Sequence, residues 1–408
     1  MTTLELDKDP PIYLAGWGAR PGSLQYSNAE AVDILGLDPR VAVDVEQKVG
    51  TRLRHSATDW RTRQQLEAAS TLAFDATWRA LVRADIAPDA VDAIVSSATI
   101  LDHFCPSIAV RVLKLLGGRD RALTFDLTGG CGTFASALFL AVQLLQARTV
   151  ETVVVVAAEP LTRLIWVMRR PLEALLFGDG AAAMVLTTRV QTPFRLRRCA
   201  VQTVADLGGC RDEIMTVPVV GCGALPPLLV HDDYVDPRAP QAGCPDAYRA
   251  VHDGRMAARW GAHYLAAAVE WAAAGIDRRD VYVVPHQPSK VVLDAVRAKL
   301  ALESRQVASI NETHGNLSSA SVPMAFVERF AAGPARYPWT VLAPVGTGLT
   351  VGAALIENTG LRAAAGRHDG GDAAPGRHPD GHRLWLSGPC RGRAKSCAWV
   401  LPSSPVLR

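Results

Sequence analysis

The chain has 408 residues, of which 49% are hydrophobic and 20% charged, and carries a formal net charge of +3. Those figures describe a folded globular chain with sequence enough for more than one core, and exclude a chain disordered throughout. Much of the positive excess lies beyond Gly360, so the remainder is close to neutral and nucleic acid is not expected as a partner.

The opening MTTLELDKDPP lacks a basic start followed by an apolar stretch. No secretory signal is expected there, and residues 1–11 read as a flexible leader. No apolar run is long enough to span a bilayer, so a cytoplasmic location without membrane contact is expected. Ile12–Gly16 opens the ordered part as a β-rich run. Apolar residues at helical spacing (Leu66, Ala69, Leu72, Ala73, Ala76, Leu81) predict a helix over 61–84. Val91–Ser97 reads as a buried strand, and Ser107–Leu116 as an amphipathic helix stopped by Gly117 and Gly118. Thr124–Leu127 is a short strand before a nearly all-apolar helix, Gly132–Arg148, which must be buried on all sides. Thr152–Ala158 and Ala181–Thr187 are fully buried strands.

A second series repeats the order. The strand Phe194–Val204 leads into a Gly/Pro-rich stretch, Leu207–Pro245, read as a surface or lid region. Helices are predicted over 254–274, 289–300 and 318–332, with strands at Val281–Val284, Trp339–Ala343 and Leu349–Ile356. Alternating strand and helix in both series predict an α/β protein with layered sheets. The halves are 12–190 and 191–358, and residues 359–408, rich in Gly, Arg, Pro and His, read as a disordered tail.

The eight cysteines form no CxxC pair and no metal-ligand spacing, so neither metal nor disulfide framework is expected. Cys131 differs from the others by its surroundings. In TFDLTGGCGTF (124–134) it follows a strand and two glycines and precedes the apolar helix. A thiol at a helix N-terminus is placed where the dipole and free N–H groups stabilise a thiolate. A buried structural cysteine is the bland alternative. In VVPHQPSK (283–290), His286 stands just past a strand end, where catalytic groups gather in α/β sheets, although a backbone-bonded histidine fits equally. In THGNLSSASVP (313–323), Asn316 precedes a helix of small residues and would serve as an N-cap; His314 is a rival imidazole. FGDGAAAMVL (177–186) and VGTGLTVGAAL (345–355) are glycine turns feeding strands.

The order of these segments resembles β-ketoacyl-ACP synthase III and its relatives in the thiolase superfamily, from about Ile12 to Glu357. The resemblance implies a thiolase fold, five-layered αβαβα with two similar halves, and a homodimer. It implies Cys131 as the acylated nucleophile with His286 and Asn316 as its partners, and an oxyanion hole from the backbone N–H groups of Cys131 and Thr347. Gly346 and Gly348 would line the substrate site beside them, and no cofactor is implied. The chain departs from the family at Ser289, where HQAN is usual, and no arginine follows in Lys290-Val291-Val292. Cys105, in HFCPS, stands where a bulky residue often reaches the partner's pocket. These departures suit acyl-carrier protein as well as acyl-CoA as donor, and a specialised-metabolism relative. A decarboxylative condensation starting a polyketide or fatty-acyl chain is the leading expectation. Acyl transfer to a carrier, hydroxyl or amine without carbon–carbon bond formation is the second. A type III polyketide synthase is disfavoured by Val345-Gly346-Thr347-Gly348, and a silent partner subunit by the retained Cys131, His286 and Asn316.

Overall fold

Strand and helix alternate twice along the chain, as a computed structural model shows for residues 1–6, 10–103, 105–166, 175–205, 215–216, 251–252 and 254–361. The first series holds strands β1 (Thr2–Glu5), β2 (Tyr13–Pro21), β3 (Leu24–Ser27), β4 (Leu53–Ser56), β5 (Ala93–Ser97), β6 (Leu123–Leu127), β7 (Thr152–Pro160) and β8 (Asp179–Thr187). Its helices are α1 (Asn28–Leu35), α2 (Arg40–Asp44), α3 (Ala69–Ala84), α4 (Ile108–Leu116) and α5 (Thr133–Gln146). The second series holds β9 (Phe194–Thr203), the short pair β10 (Met215–Thr216) and β11 (Val251–His252), β12 (Val281–Pro285), β13 (Trp339–Ala343), β14 (Val345–Gly346) and β15 (Thr350–Asn358). Its helices are α6 (Gly254–Ala272), α7 (Lys290–Lys299), α8 (Asn311–His314) and α9 (Ser321–Glu328).

The main sheet runs β12-β13-β15-β9-β2-β8-β7-β5-β6, and its two sides are built alike. Outward from the seam, β2-β8-β7-β5 corresponds to β9-β15-β13-β12. In each set the first pair is antiparallel, the second antiparallel and the third parallel. Only Tyr13 and Arg195 pair between β2 and β9, so the strand ladder narrows to a single residue pair at the seam. The similarity expected from motif order alone is thus carried by topology and strand direction.

Three apolar clusters explain the layering. α3 and α4 cover one face of the first sheet, with Leu72, Ala76 and Val112 against Val154, Val156 and Ala183. α6 and α7 cover the outer face of the second, with Leu265, Val269 and Val296 against Val283, Val341 and Leu355. Between the sheets lie α5 and α9, whose Phe134, Leu138 and Phe326 join Val155, Met184 and Leu342 in one core. The result is α/β/α/β/α, the thiolase-type arrangement. A helix between two sheets has no solvent side, which is why α5 carries apolar residues all round.

The structure differs from the sequence reading in places. Thr2–Glu5, expected within a flexible leader, is strand β1, paired antiparallel with β9 from Thr2↔Val201 to Glu5↔Arg198. The helix expected from residue 61 starts at Ala69, where the Asp102 carboxylate accepts from the Ala69 and Ser70 N–H groups at 2.6 and 2.9 Å. Leu66, counted on its apolar face, is exposed before the helix. The expected helix over 318–332 is a 3₁₀ turn at Ser318–Ala320 followed by α9. The proposed lid at 207–245 lies almost wholly outside the described residues, as does the tail beyond residue 361. Among the described residues, no helix is long and apolar enough to cross a membrane, and no cluster of His, Cys, Asp and Glu could hold a metal ion.

Candidate active site

Cys131 ends the turn between β6 and α5, directly before the first turn of the central helix. Gly130 has φ 77°, and a Cβ built there would meet Thr347 Oγ1 at 2.3 Å, so the turn requires glycine for both conformation and space. The last turn of the fold closes on it from the other side. A Cβ on Gly346 would fall 2.0 Å from the Gly132 nitrogen and 2.5 Å from the Cys131 carbonyl carbon. Thr347 donates its hydroxyl to the Gly129 carbonyl at 2.9 Å, tying this turn to the one that carries Cys131. Gly348, the other glycine of the turn, has φ 124°. The backbone at Gly346 therefore lies directly against Cys131 and Gly132, with Thr347 the next residue along.

His286 follows β12, its backbone N–H donating to the Ala343 carbonyl at 2.9 Å. Gln287 holds this bend. Its amide donates to the Pro285 and Ala308 carbonyls at 2.8 and 3.1 Å and accepts from the Ile310 N–H at 2.9 Å. The imidazole is buried and its Nδ1 has no hydrogen-bond partner. Burial pushes its pKa down to about 3, so the ring is neutral at any ordinary working pH.

Asn316 is also buried. Its backbone bonds the FGDG turn, donating to the Leu176 carbonyl at 3.0 Å and accepting from Gly178 N–H at 3.1 Å. Gly178 admits no side chain, since a Cβ would meet the His314 carbonyl at 2.0 Å. Asn316 Oδ1 accepts from Ser318 N–H at 2.8 Å and from Ser321 Oγ at 3.4 Å. That fixes the amide with Oδ1 occupied and Nδ2 as its remaining donor.

The protonation state of Cys131 is not the one its helix position suggests. Burial pushes the Cys131 thiol up to about 11, a hydrogen bond from the Ser318 side chain opposes this, and the charge of Glu159 adds to it. Desolvation outweighs the helix N-terminus, and the free protein holds a thiol.

Neither Ser318 nor Glu159 stood out in the sequence. Glu159 is fully buried near the end of β7. Its carboxylate accepts from Ser319 Oγ at 2.6 Å, Thr99 N–H at 2.9 Å, Thr99 Oγ1 at 3.0 Å and Ser319 N–H at 3.2 Å. Burial nevertheless raises its pKa to about 7. An acid closing the apolar run TVVVVAAEP was the signal available in the sequence.

The remaining candidates sit elsewhere or serve the scaffold. Ser289 is the N-cap of α7, accepting from Val292 N–H at 3.4 Å. Cys105 is exposed between β5 and α4. His314 stacks on His55 with ring centroids 5.0 Å apart and bonds Thr313 Oγ1 at 2.8 Å. Burial and then His55 lower its pKa to about 4.

Models of the 3-oxoacyl-[acyl-carrier-protein] synthase III family match residues 125–203 and, for its C-terminal part, 271–358. The beta-ketoacyl-[acyl-carrier-protein] synthase III of Xanthomonas campestris pv. campestris is 30% identical over 320 residues, covering 76% of this chain and 88% of its own length. That of Granulibacter bethesdensis is 30% identical over 351 residues, covering 84% of this chain and 98% of its own. Among solved structures, beta-ketoacyl-[acyl carrier protein] synthase III from Thermus thermophilus matches with a TM-score of 0.69 at 26% identity, over 85% of this chain and 98% of that one. The tetronic acid condensing enzyme AbyA1 shares the fold, with a TM-score of 0.70 at 23% identity over 85% of this chain and 99% of that one.

Proposed function

Because the chain belongs to the 3-oxoacyl-[acyl-carrier-protein] synthase III family of condensing acyltransferases, we propose that it loads an acyl group onto Cys131 and condenses it with a malonyl thioester, starting a polyketide or fatty-acyl chain. The Cys131 sulfur adds to the acyl thioester, the tetrahedral oxyanion rests on the N–H groups of Cys131 and Thr347, and its collapse releases the carrier thiol, which carries off the proton lost by Cys131. The malonyl thioester then loses carbon dioxide, and its enolate oxygen takes hydrogen bonds from His286 and Asn316. The enolate carbon attacks the acyl-Cys131 carbonyl, and sulfur leaves.

The observation that carries this reading is the pair of neutral donors. Asn316 Oδ1 is already used by Ser318 N–H, which presents Nδ2 as a donor. With no acceptor at His286 Nδ1, a proton there would be an orphaned buried donor, so the neutral ring carries its proton on Nε2. Two neutral donors suit an enolate; transfer to a hydroxyl would instead need a base. Ser289, standing where the family usually offers asparagine, and the lack of an arginine in Lys290-Val291-Val292 favour an acyl-carrier protein as donor over free coenzyme A.

Association as a homodimer belongs to the same reading. The edge strand β6 is only half-buried, its first residue Leu123 is 37% exposed, and Leu115 of α4 is 50% exposed.

The test is to incubate the protein with acyl thioesters and labelled malonyl carrier, weighing protein and products. Acyl mass is expected on Cys131 and nowhere in Cys131→Ala. Asn316→Ala should still acylate, while labelled carbon dioxide release falls by about 10²–10³-fold. Turnover toward another acceptor with no carbon dioxide released rejects condensation.

A further inference from the structure

A line of buried polar side chains leads from the first half of the chain to the bend that carries His286. Arg54 of β4 donates through Nη2 to Asn28 Oδ1, and Asn28 Nδ2 donates to the Thr51 carbonyl at 2.7 Å. The Thr51 hydroxyl donates to Asn311 Oδ1 at 3.3 Å, and Asn311 Nδ2 donates to the Gln287 carbonyl at 3.3 Å. All five residues are buried. The direction of each bond is forced. Arg54 can only donate, so Asn28 turns its oxygen to it; the Gln287 carbonyl can only accept, so Asn311 turns Nδ2 to it and its oxygen to Thr51.

Asn311 also opens α8, where its backbone carbonyl accepts from Gly315 N–H at 3.0 Å. One residue thus bonds the neighbour of each proposed enolate donor: Gln287, which follows His286, and Gly315, which precedes Asn316. We propose that Asn311 is a positioning residue that sets His286 against Asn316, itself held in place by Thr51. This role presupposes His286 as a donor to the enolate. The Gln287 side chain grips the bend through Pro285, Ala308 and Ile310, but leaves its own carbonyl to be held by Asn311. Pro288, next in the chain, has no N–H to help fix that peptide. Without Asn311 Nδ2 the Gln287–Pro288 peptide is free to turn, and the imidazole turns with it. A donor displaced by about 1 Å costs as much as 10²-fold in rate.

The wild-type arrangement does not titrate near neutrality. Arg54, lowered by burial to about 10, stays charged, and the other members of the line are amides, a hydroxyl and carbonyls. Charged groups on the elements around it are engaged with one another. Arg52 bridges Glu46 and Glu312 at 2.8 and 3.1 Å, Lys48 pairs with Asp44 at 3.1 Å, and Lys290 pairs with Asp294. His55 and His314 stack on each other.

The test uses the full chain, with acylation of Cys131, release of labelled carbon dioxide from malonyl carrier and melting temperature measured separately. Asn311→Leu keeps the size and removes both side-chain bonds, and the ratio of release to acylation should fall by about 10-fold or more. Asn311→Asp keeps the shape. Ionised, it turns an oxygen toward the Gln287 carbonyl, and the ratio should fall as far. Protonated, it donates an O–H there and accepts from Thr51 as the amide does, so release should recover as pH falls while the wild type stays flat. Thr51→Val, 260 positions away in the chain, should lower the ratio by about 3-fold or more; it decides the matter if the Asn311 variants melt below the assay temperature. A purely structural Asn311 would lower acylation and release together and show no recovery in acid, and that result overturns the positioning role. His286→Ala separates the inference from its premise. Release lost in His286→Ala but kept in folded Asn311→Leu and Thr51→Val overturns the inference alone, whereas release kept in His286→Ala overturns the enolate-donor reading and the inference with it.

Discussion

At the scale of single residues, the site begins its cycle almost without charge: a thiol, a neutral imidazole and an amide. This has a consequence for pH dependence. His286 has its pKa lowered to about 3, so above that value it stays neutral and the donor role proposed for it does not titrate. Release of carbon dioxide by the already acylated protein should therefore show no inflection where an ordinary histidine titrates, near about pH 6.5. Measurement of release from pre-acylated protein across that range checks it, and a bend there would mean that His286 is solvated. The turn that places Cys131 before α5 was legible in the sequence because its signal is local: two glycines, a thiol and an apolar helix in one stretch. Ser318 and Glu159 were not, because their meaning is long-range. Ser318 reads as one more small residue before a helix, and only folding brings it to Thr99, 219 positions earlier in the chain.

Elements place these groups through close backbone approach, which glycine makes possible. Gly346→Ala would push a methyl into the Cys131–Gly132 backbone, whose atoms are not the free end of a flexible side chain. The final turn must then move, and with it the Thr347 N–H. Acylation should fall by about 10-fold or more, since misplacing an oxyanion donor costs transition-state stabilisation. Acylation rate and melting temperature, measured together, separate this from plain unfolding; a folded variant with full acylation would show that the turn does not supply the oxyanion hole. The same scale shows where periodicity misleads. Residues 61–66 matched helical spacing, yet Thr58 bridges Gln65 in a turn and the helix waits for the Asp102 cap. β1 went unseen for the opposite reason, because Thr2–Glu5 acquires strand structure from β9 and offers no apolar pattern of its own.

Over the whole molecule, buried ionisable groups set the pH profile of stability. Glu159 rises from 4.5 to about 7 on folding, so the folded state holds a proton that the unfolded chain releases. Its contribution is full below 4.5 and is lost as pH rises toward 7. Glu159→Gln removes that decline, and its melting temperature relative to the wild type should increase with pH across this window. Parallel curves for the two proteins would contradict the burial of an ionisable acid. Association belongs to this scale too. Leu123→Arg on the edge strand β6 should convert the proposed homodimer to a monomer, read by sedimentation; a wild-type monomer sinks the proposal.

The path of the chain through the sheet also bears on how the protein is made. β1 pairs with β9, and β9 pairs with β15, so the first strand joins a partner some two hundred residues on and that partner waits for the final strand. Contacts of such separation close slowly and late. On the ribosome, the half bearing Cys131 is synthesised long before Gly346 and Thr347 exist to lie against it. A nascent chain thus carries the Cys131 thiol without the turn that closes over it, and the acylation proposed for that thiol has to wait for Gly346 and Thr347. Translation order would keep the proposed nucleophile idle until Gly346 and Thr347 have been made.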